Sequence, residues 1–172
     1  MDNTELKSLK LALLTISDSR TSDNDTSGDL LQQRAESAGH QVSARALLPD
    51  DCYVLRAQLS NWFIDDDVDV IVTTGGTGLT GRDGTPEAVT PLLDKTIDGF
   101  GEMFRMLSWD EIGTSTLQSR ALAGVANGTY IFCLPGSNNA CATGWDKIIE
   151  AQLDSRTKPC NLPMLIPRLK ES

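Results

Sequence analysis

The sequence is poor in basic side chains, in histidine and in paired cysteines, and each shortage argues against a class of function. Its 15 Lys and Arg residues face 24 Asp and Glu residues, which leaves a net charge of −9. Binding to duplex nucleic acid depends on Lys and Arg that neutralise phosphates, so we expect no nucleic acid partner. The single histidine, and four cysteines without a C-x-x-C pair, argue against a structural zinc site.

Long apolar runs are missing as well. No run approaches the ~20 residues that are needed to span a bilayer. The acidic first residues do not have the pattern of a signal peptide. We therefore expect a cytoplasmic protein with no membrane partner, in which the cysteines are buried thiols.

The length and composition are those of one globular domain. We predict a disordered polar N-terminus over residues 1–8, one domain over residues 9–155 and a proline-containing tail over residues 156–172. Because the net negative charge repels anions, an anionic ligand would have to be bound by local donors.

A glycine-rich loop is the most distinctive stretch of the chain. Residues 68–74 form a short β-branched run typical of a buried strand, and five of the fourteen glycines follow within residues 75–84. Such a loop can adopt positive φ angles and present bare N–H groups to a phosphate or a polar ring. Thr85 is a candidate N-cap for a helix that begins with Pro86. The spacing matches neither the dinucleotide-binding nor the P-loop motif, so the alternative of a simple permissive turn stays open.

Strands and helices alternate along the chain. Apolar runs predict strands over residues 9–16, 41–48 and 68–74, and Asn127-Gly128 predicts a hairpin between two further strands. Helical periodicity predicts helices over residues 29–38, 53–65, 86–93, 99–109 and 140–153. This order predicts an α/β fold: an open, mostly parallel sheet that carries an antiparallel hairpin and has helices on both faces.

Two predictions concern single features of these elements. His40 follows a predicted helix end, and we expect it to be partly exposed and non-catalytic. The helix over residues 99–109 carries more apolar side chains than one core contact needs, which favours a subunit interface.

The topology predicts where a ligand would bind. Parallel strands joined by right-handed crossovers point the same way, so the loops at Asp18, Asp50, 75–83 and Gly136 would share one edge. The long loop over residues 18–28 is either functional or only a solvated connection.

Asp50 and Asp83 could jointly hold a hard cation such as Mg²⁺, while Arg82 or Arg120 and loop N–H groups offset phosphate charge. Phosphoryl or nucleotidyl transfer is the natural reaction class for such a site. The alternative for Asp50 is a helix-capping role alone.

Several ordered motifs resemble the MoaB/Mog family of molybdenum cofactor biosynthesis. They are Thr73-Thr74-Gly75-Gly76-Thr77-Gly78, Arg82-Asp83, Thr85-Pro86-Glu87-Ala88 and Leu134-Pro135-Gly136. The similarity covers most of residues 9–155, and residues 100–108, 112–115 and 117–121 are most similar to the bacterial MoaB branch.

This resemblance implies a three-layer α/β/α fold that assembles as trimers or hexamers, with other molybdenum cofactor biosynthesis proteins as further partners. It also implies molybdopterin binding and, in active members, Mg²⁺-dependent adenylation of molybdopterin by ATP with release of pyrophosphate. The two acids of active members match Asp83 and Asp50, our candidate catalytic and Mg²⁺-binding residues. Gly84 stands where MogA-like members more often have valine. Our candidates for pterin or nucleotide binding are Thr74, Gly75, Gly76, Thr77, Gly78, Arg82, Ser119, Arg120, Pro135, Gly136 and Ser137.

Three functions fit these observations. The first is an adenylyltransferase, and the second is a pterin-binding or scaffold protein of the same pathway that lacks turnover. The third is an assembly subunit whose glycine loops are only turns. Pyrophosphate release separates the first from the second, and a ligand-dependent rise in melting temperature separates the second from the third.

Overall fold

One mixed β-sheet organises the computed structural model, which describes residues 5–171. In the described residues the sheet has six strands in the order β2-β1-β3-β6-β5-β4. They are β1 (Lys10–Ile16), β2 (Gln41–Leu48), β3 (Val70–Thr74), β4 (Lys95–Thr96), β5 (Leu122–Ala126) and β6 (Thr129–Leu134). The first four in this order are parallel, whereas β5 and β4 run antiparallel to their neighbours. The predicted open, mostly parallel sheet is confirmed.

Helices cover both faces of the sheet. They are α1 (Thr26–Ser37), α2 (Cys52–Phe63), α3 (Thr85–Val89), α4 (Asp98–Ile112), α5 (Asn138–Gly144) and α6 (Glu150–Leu153). A π-helical turn (Trp145–Ile149) joins α5 to α6, and short 3₁₀ turns occupy Thr90–Leu92, Gly113–Gln118 and Ile166–Arg168.

The two faces of the sheet bury two separate apolar clusters. Leu11 and Leu13 of β1 pack with α1, α4 and the α5–α6 region, whereas Ala12 and Leu14 pack with α2 and α3. This alternation follows from the two-residue period of a strand. The fold is therefore the three-layer α/β/α arrangement that the resemblance implies.

The hairpin between β5 and β6 forms where it was predicted. Asn127 and Gly128 have φ angles of 47° and 80°, the left-handed conformation that a two-residue turn of this kind requires. The pair of residues therefore sets the antiparallel register of Val125 opposite Tyr130.

Several predicted helix ends are wrong because the chain uses different caps. Helix α1 begins at Thr26, earlier than residue 29, because the buried Asp25 accepts a hydrogen bond from the Gly28 N–H. Thr85 is not the cap of α3: Gly84 holds that position, and the Thr85 hydroxyl donates to the Gly75 carbonyl at 2.9 Å.

The last helix and one strand also differ from the prediction. The last helix begins at Asn138, capped by Ser137, and its middle is π-helical. Strand β4 was not predicted, since two exposed residues carry no periodicity. The residues that follow α4, Gly113–Gln118, form a 3₁₀ turn.

His40 is buried, and the prediction of partial exposure is wrong. Its Nδ1 atom accepts a hydrogen bond from the Leu9 N–H at 3.2 Å. Burial lowers the pKa of His40, although the charge of Asp154 opposes this shift. The imidazole therefore has a structural role where β2 begins, away from the loops that follow the parallel strands.

Both ends of the described chain pack on the core. In the C-terminal tail Leu162, Ile166 and Leu169 contact the α1/α4 side of the core, and the Tyr130 hydroxyl donates to the Leu162 carbonyl at 3.1 Å. Of the N-terminus predicted to be disordered, residues 1–4 lie outside the described residues, and the Lys7 N–H donates to Ser155 Oγ at 2.8 Å. In residues 5–171 no helix has both the length and the apolar character for a membrane span.

Candidate functional site

The loops that follow β1, β3 and β6 enclose a cleft of about 470 Å³. The loop after β2 joins the same edge, since the Asp50 N–H donates to Asp18 Oδ1 at 3.1 Å and the Gly84 N–H donates to Asp50 Oδ1 at 3.2 Å. The predicted meeting of these loops at one edge of the sheet is confirmed. Ten of the thirteen predicted site residues line the cleft: Thr74, Gly75, Gly76, Thr77, Gly78, Asp83, Ser119, Pro135, Gly136 and Ser137.

The glycine loop needs glycine at its first two positions. Gly75 and Gly76 have φ angles of 109° and 69°. A Cβ atom at Gly75 would lie 2.1 Å from the Ile16 carbonyl oxygen, and one at Gly76 would lie 2.3 Å from Thr85 Oγ1. Any larger residue would force the loop away from β1 or α3, so the wall of the cleft depends on these two glycines.

Thr74 connects the two loops that form the floor of the cleft. Its hydroxyl donates to the Pro135 carbonyl at 3.0 Å and lies 3.1 Å from Cys141 Sγ. Burial raises the pKa of Cys141 to about 11, so this thiol stays protonated at neutral pH. Cys141 is therefore a packing residue and not a nucleophile.

The two predicted acids come from different loops and lie in different surroundings. Asp83 lines the cleft, and its Oδ2 atom accepts from the Thr80 hydroxyl at 2.7 Å and the Thr80 N–H at 2.9 Å. These bonds, that from the hydroxyl above all, lower the pKa of Asp83. Asp50 lies against Gly76 and Gly84 and is not among the cleft-lining residues. Burial raises the pKa of Asp50, and the charges of Asp83 and Asp18 raise it further.

The carboxylates of Asp50 and Asp83 match the oxygen ligands that Mg²⁺ takes in proteins. Protein Mg²⁺ sites typically use one or two carboxylates, with water and phosphate oxygens completing the shell. In the described part of the chain no group of three or more His, Cys, Asp or Glu side chains could hold a metal by itself. A cation would offset the mutual repulsion of Asp50 and Asp83, so the donor set suits an ion that arrives with a phosphorylated ligand.

The two arginines that the sequence suggested are engaged elsewhere. Arg82 makes a bidentate pair with Asp18 at 2.7 and 2.8 Å on the protein surface. Arg120 pairs with Glu87 and donates to the Gly78 and Asp83 carbonyls at 2.9 and 3.1 Å. Neither arginine lines the cleft, and the contacts of Arg120 stabilise the conformation of the glycine loop.

Ser119 lies beside Arg120 but faces the cleft. Its Oγ atom is buried and has no hydrogen-bond partner among residues 5–171. A buried hydroxyl without a partner is costly, so a ligand atom that reached it would gain a hydrogen bond.

Sequence reasoning missed several polar residues of the cleft. They are Ser17, Arg20, Ser27, Ser108, Glu111, Ser115, Gln118 and Asn139. The length of the loop over residues 18–28 marked the region that contains Arg20 and Ser27 but singled out neither of them, and Ser17 lies just before that loop.

Glu111 is the second carboxylate that lines the cleft. It accepts hydrogen bonds from Asn139, Thr143 and Lys147 at 2.7 to 2.9 Å. The hydrogen bond from Lys147 is the main cause of the lowered pKa of Glu111, which therefore stays ionised and connects α4 to α5. It was missed because the apolar stripe dominates the pattern of α4.

Comparisons with known proteins identify the family to which this chain is similar. Residues 12–155 match a family described as a probable molybdopterin binding domain. Over 169 residues the chain is 53% identical to molybdenum cofactor biosynthesis protein B of Escherichia coli (strain K12), with 98% of each chain covered.

Solved structures show the same similarity. A crystal structure of molybdenum cofactor biosynthesis protein B superposes with a TM-score of 0.83 at 42% identity, covering 86% of this chain and 92% of that one. The tungsten cofactor synthesizing protein MoaB from Pyrococcus furiosus superposes with a TM-score of 0.74 at 38% identity, covering 83% and 91%.

Proposed function

This chain belongs to the MoaB/Mog family of molybdenum cofactor biosynthesis proteins, and we propose that it acts in that biosynthesis by binding molybdopterin in the cleft at the carboxyl ends of β1, β3 and β6. The observation that carries the proposal is that every described residue of the cleft lies within the matched stretch, residues 12–155. The volume of about 470 Å³ is also in the usual range of small-molecule sites.

The lining of the cleft suits a polar ring with a phosphate. The glycine loop offers backbone N–H groups, and serine residues line the other sides of the cleft. Ser17 and Ser27 lie on the β1 side, Ser108 and Ser115 on the α4 side, and Ser137 at the start of α5. Such donors can bind a ring edge and a phosphate at once.

We further propose that the bound molybdopterin is adenylated by ATP. An oxygen of the pterin phosphate attacks the α-phosphorus of ATP, a new P–O bond forms, and the bond to the β-phosphate oxygen breaks to release pyrophosphate. Asp50 and Asp83 would hold Mg²⁺, and such an ion would supply positive charge to offset that of the phosphates. The protein mainly positions the two phosphates, with Thr77 and Gly78 on one wall and Gly136 and Ser137 on the other.

One observation favours the second candidate, a binding or scaffold protein without turnover. Asp50 is not among the residues that line the cleft, so of the two proposed Mg²⁺ ligands only Asp83 borders the bound pterin. The cleft and its donors would bind the pterin equally well in such a protein.

A pyrophosphate-release assay tests the proposal. The purified protein is supplied with molybdopterin and Mg-ATP, and we expect one pyrophosphate for each adenylylated pterin. Tight pterin binding without pyrophosphate would leave the scaffold function standing. If no pterin raised the melting temperature, molybdopterin binding itself would be disproved.

We also propose that the subunit assembles as a trimer or hexamer, and that other proteins of the pathway are partners. Helix α4 and the turn after it expose Met103, Met106, Trp109 and Leu117, with 45 to 81% of each residue accessible. Apolar side chains gathered in this way on one element are typical of a subunit contact.

A further inference from the structure

Arg20 is the only cationic side chain among the described residues that line the cleft. It lies in the loop between β1 and α1, with 27% of its side chain exposed. Its guanidinium donates to the Gly136 carbonyl at 3.2 Å and to the Ser27 hydroxyl. Arg20 therefore lies where the loop after β1, the start of α1 and the loop after β6 meet.

A buried carboxylate holds Arg20 in this position without cancelling its charge. Asp25 Oδ1 lies 3.6 Å from the Arg20 guanidinium and also accepts from the Gly28 N–H. Asp25 Oδ2 accepts from the Thr15 hydroxyl at 2.8 Å and from Arg45 at 2.9 Å. Because Arg45 and two neutral donors already satisfy Asp25, much of the positive charge of Arg20 is available to the cleft.

The charges around the cleft make such a residue necessary. The net charge of −9 and the lining carboxylates Asp83 and Glu111 repel an anion. Arg82 and Arg120 are paired with acids outside the lining. Of the five N–H donors of a guanidinium, Arg20 uses two for Ser27 and Gly136, so others remain for a ligand.

We propose that Arg20 binds a phosphate group of the cleft ligand, with the Ser27 hydroxyl beside it. The planar guanidinium matches two phosphate oxygens, and the start of the twelve-residue helix α1 adds a favourable dipole. This inference rests on the proposed function in taking the cleft as the ligand site. The phosphate belongs either to the pterin side chain or to the nucleotide, and the experiment below separates these sources.

The test measures dissociation constants by calorimetry for three probes. They are a pterin with a side-chain monophosphate, the same pterin without the phosphate, and ATP. In Arg20→Gln we expect affinity for one phosphorylated probe to fall about 10- to 100-fold, the loss typical of a hydrogen bond to a charged group. Affinity for the pterin without phosphate should stay within about twofold, since no charge pair is lost. The phosphorylated probe whose affinity falls in Arg20→Gln identifies the source of the phosphate.

Two further variants separate binding from folding. Arg34→Gln also removes one positive charge, but Arg34 lies in α1 and pairs with Asp146 outside the cleft. The affinity of this variant for every probe should therefore match that of the wild type. Arg20→Lys keeps the charge but lacks the planar guanidinium, so its affinity for the phosphorylated probe should lie between those of the wild type and Arg20→Gln. If Arg20→Gln fails to fold, the reduced affinity of Arg20→Lys still tests the proposal.

Two results would overturn the proposal. In the first, the unmodified protein binds the phosphorylated pterin, and Arg20→Gln and Arg20→Lys bind both phosphorylated probes as tightly as it does. That result would leave the proposed function intact. The other is a wild-type protein that binds neither phosphorylated probe. Binding of ATP but of no pterin, with the ATP affinity lost in Arg20→Gln, would support Arg20 and contradict the proposed function instead.

Discussion

At the scale of single residues, neighbouring aspartates have different tasks. Asp51 caps α2, because its Oδ1 atom accepts from the Tyr53 and Val54 N–H groups at 2.9 and 3.0 Å. Asp50 contacts the glycine loop instead. The sequence left open whether Asp50 was only a cap, and the structure assigns the cap to its neighbour.

Because Asp50 and Asp51 have different roles, we expect substitutions at these adjacent positions to have unequal effects on pyrophosphate release. Asp50→Asn should lower pyrophosphate release at least about 100-fold, because it removes a charge that would help to hold Mg²⁺. Asp51→Asn is the matched control and should keep wild-type activity, since Asn caps a helix as well as Asp. Activity of Asp50→Asn within a few-fold of the wild type would exclude Asp50 from the mechanism.

The two candidate Mg²⁺ ligands, Asp50 and Asp83, are expected to affect stability in opposite directions. The pKa of Asp50 is raised by burial, so the folded state binds its proton more tightly and loses stability as pH rises above the ordinary value of 3.8. The pKa of Asp83 is lowered by the bonds from Thr80, so its contribution is present at neutral pH and is lost as pH falls below that value.

Asp50→Asn should therefore raise the melting temperature at pH 7, and Asp83→Asn should lower it. The Asp50 difference should shrink as pH falls toward 3.8, whereas the Asp83 difference should shrink only below that value. Thermal unfolding followed by circular dichroism at several pH values measures both. Shifts of the same sign for the two variants at pH 7 would contradict the assigned environments.

At the scale of elements, the glycine loop after β3 is defined by what surrounds it. Its N-terminal end is closed by the Gly75 N–H, which donates to the Leu134 carbonyl at 2.9 Å, and by the Thr85 N–H, which donates to the Gly76 carbonyl at 3.0 Å. Arg120 contacts its middle. The loop is thus a rigid wall of the cleft and not a free hinge.

A methyl group at the first position should deform this wall. Gly75→Ala combines a φ of 109° with a Cβ atom 2.1 Å from the Ile16 carbonyl oxygen, so we expect a loss of at least about 1–3 kcal/mol in unfolding free energy. Gly81→Ala is the control, because no atom lies within 4 Å of its added Cβ, and it should stay within about 0.5 kcal/mol. Equal urea midpoints for the two variants would show that the loop accommodates a side chain.

At the scale of the whole molecule, the exposed face of α4 lies beside the cleft. Ser108, Glu111 and Ile112 of the same helix line the cleft, while Met106 and Trp109 are 64% and 55% exposed. A neighbouring subunit on this face would therefore stand close to the cleft opening.

Breaking that contact should change the mass of the assembly. Met106→Lys places a charge in the proposed interface, so we expect dissociation to smaller species in size-exclusion chromatography with light scattering. Ile64→Lys is the matched control, since Ile64 is 75% exposed at the end of α2 and outside this face. If the mass of Met106→Lys equalled that of the wild type, the exposed face of α4 would not be a subunit interface.

Local sequence determined the order of strands and helices in this protein. Short apolar runs and the Asn127-Gly128 turn act through neighbouring residues, so their outcome follows from the chain itself. The shared edge of the loops also follows, because parallel strands leave little choice of topology.

Only the tertiary structure decided which polar groups face the cleft. Arg20 points there because it bonds to Gly136, 116 residues away, whereas Arg82 and Arg120 are held by Asp18 and Glu87. The burial of His40 and Asp25 likewise depends on packing against distant elements. A charged side chain pairs with a partner that the fold brings close to it, and no periodicity or motif in the sequence indicates which partner that is.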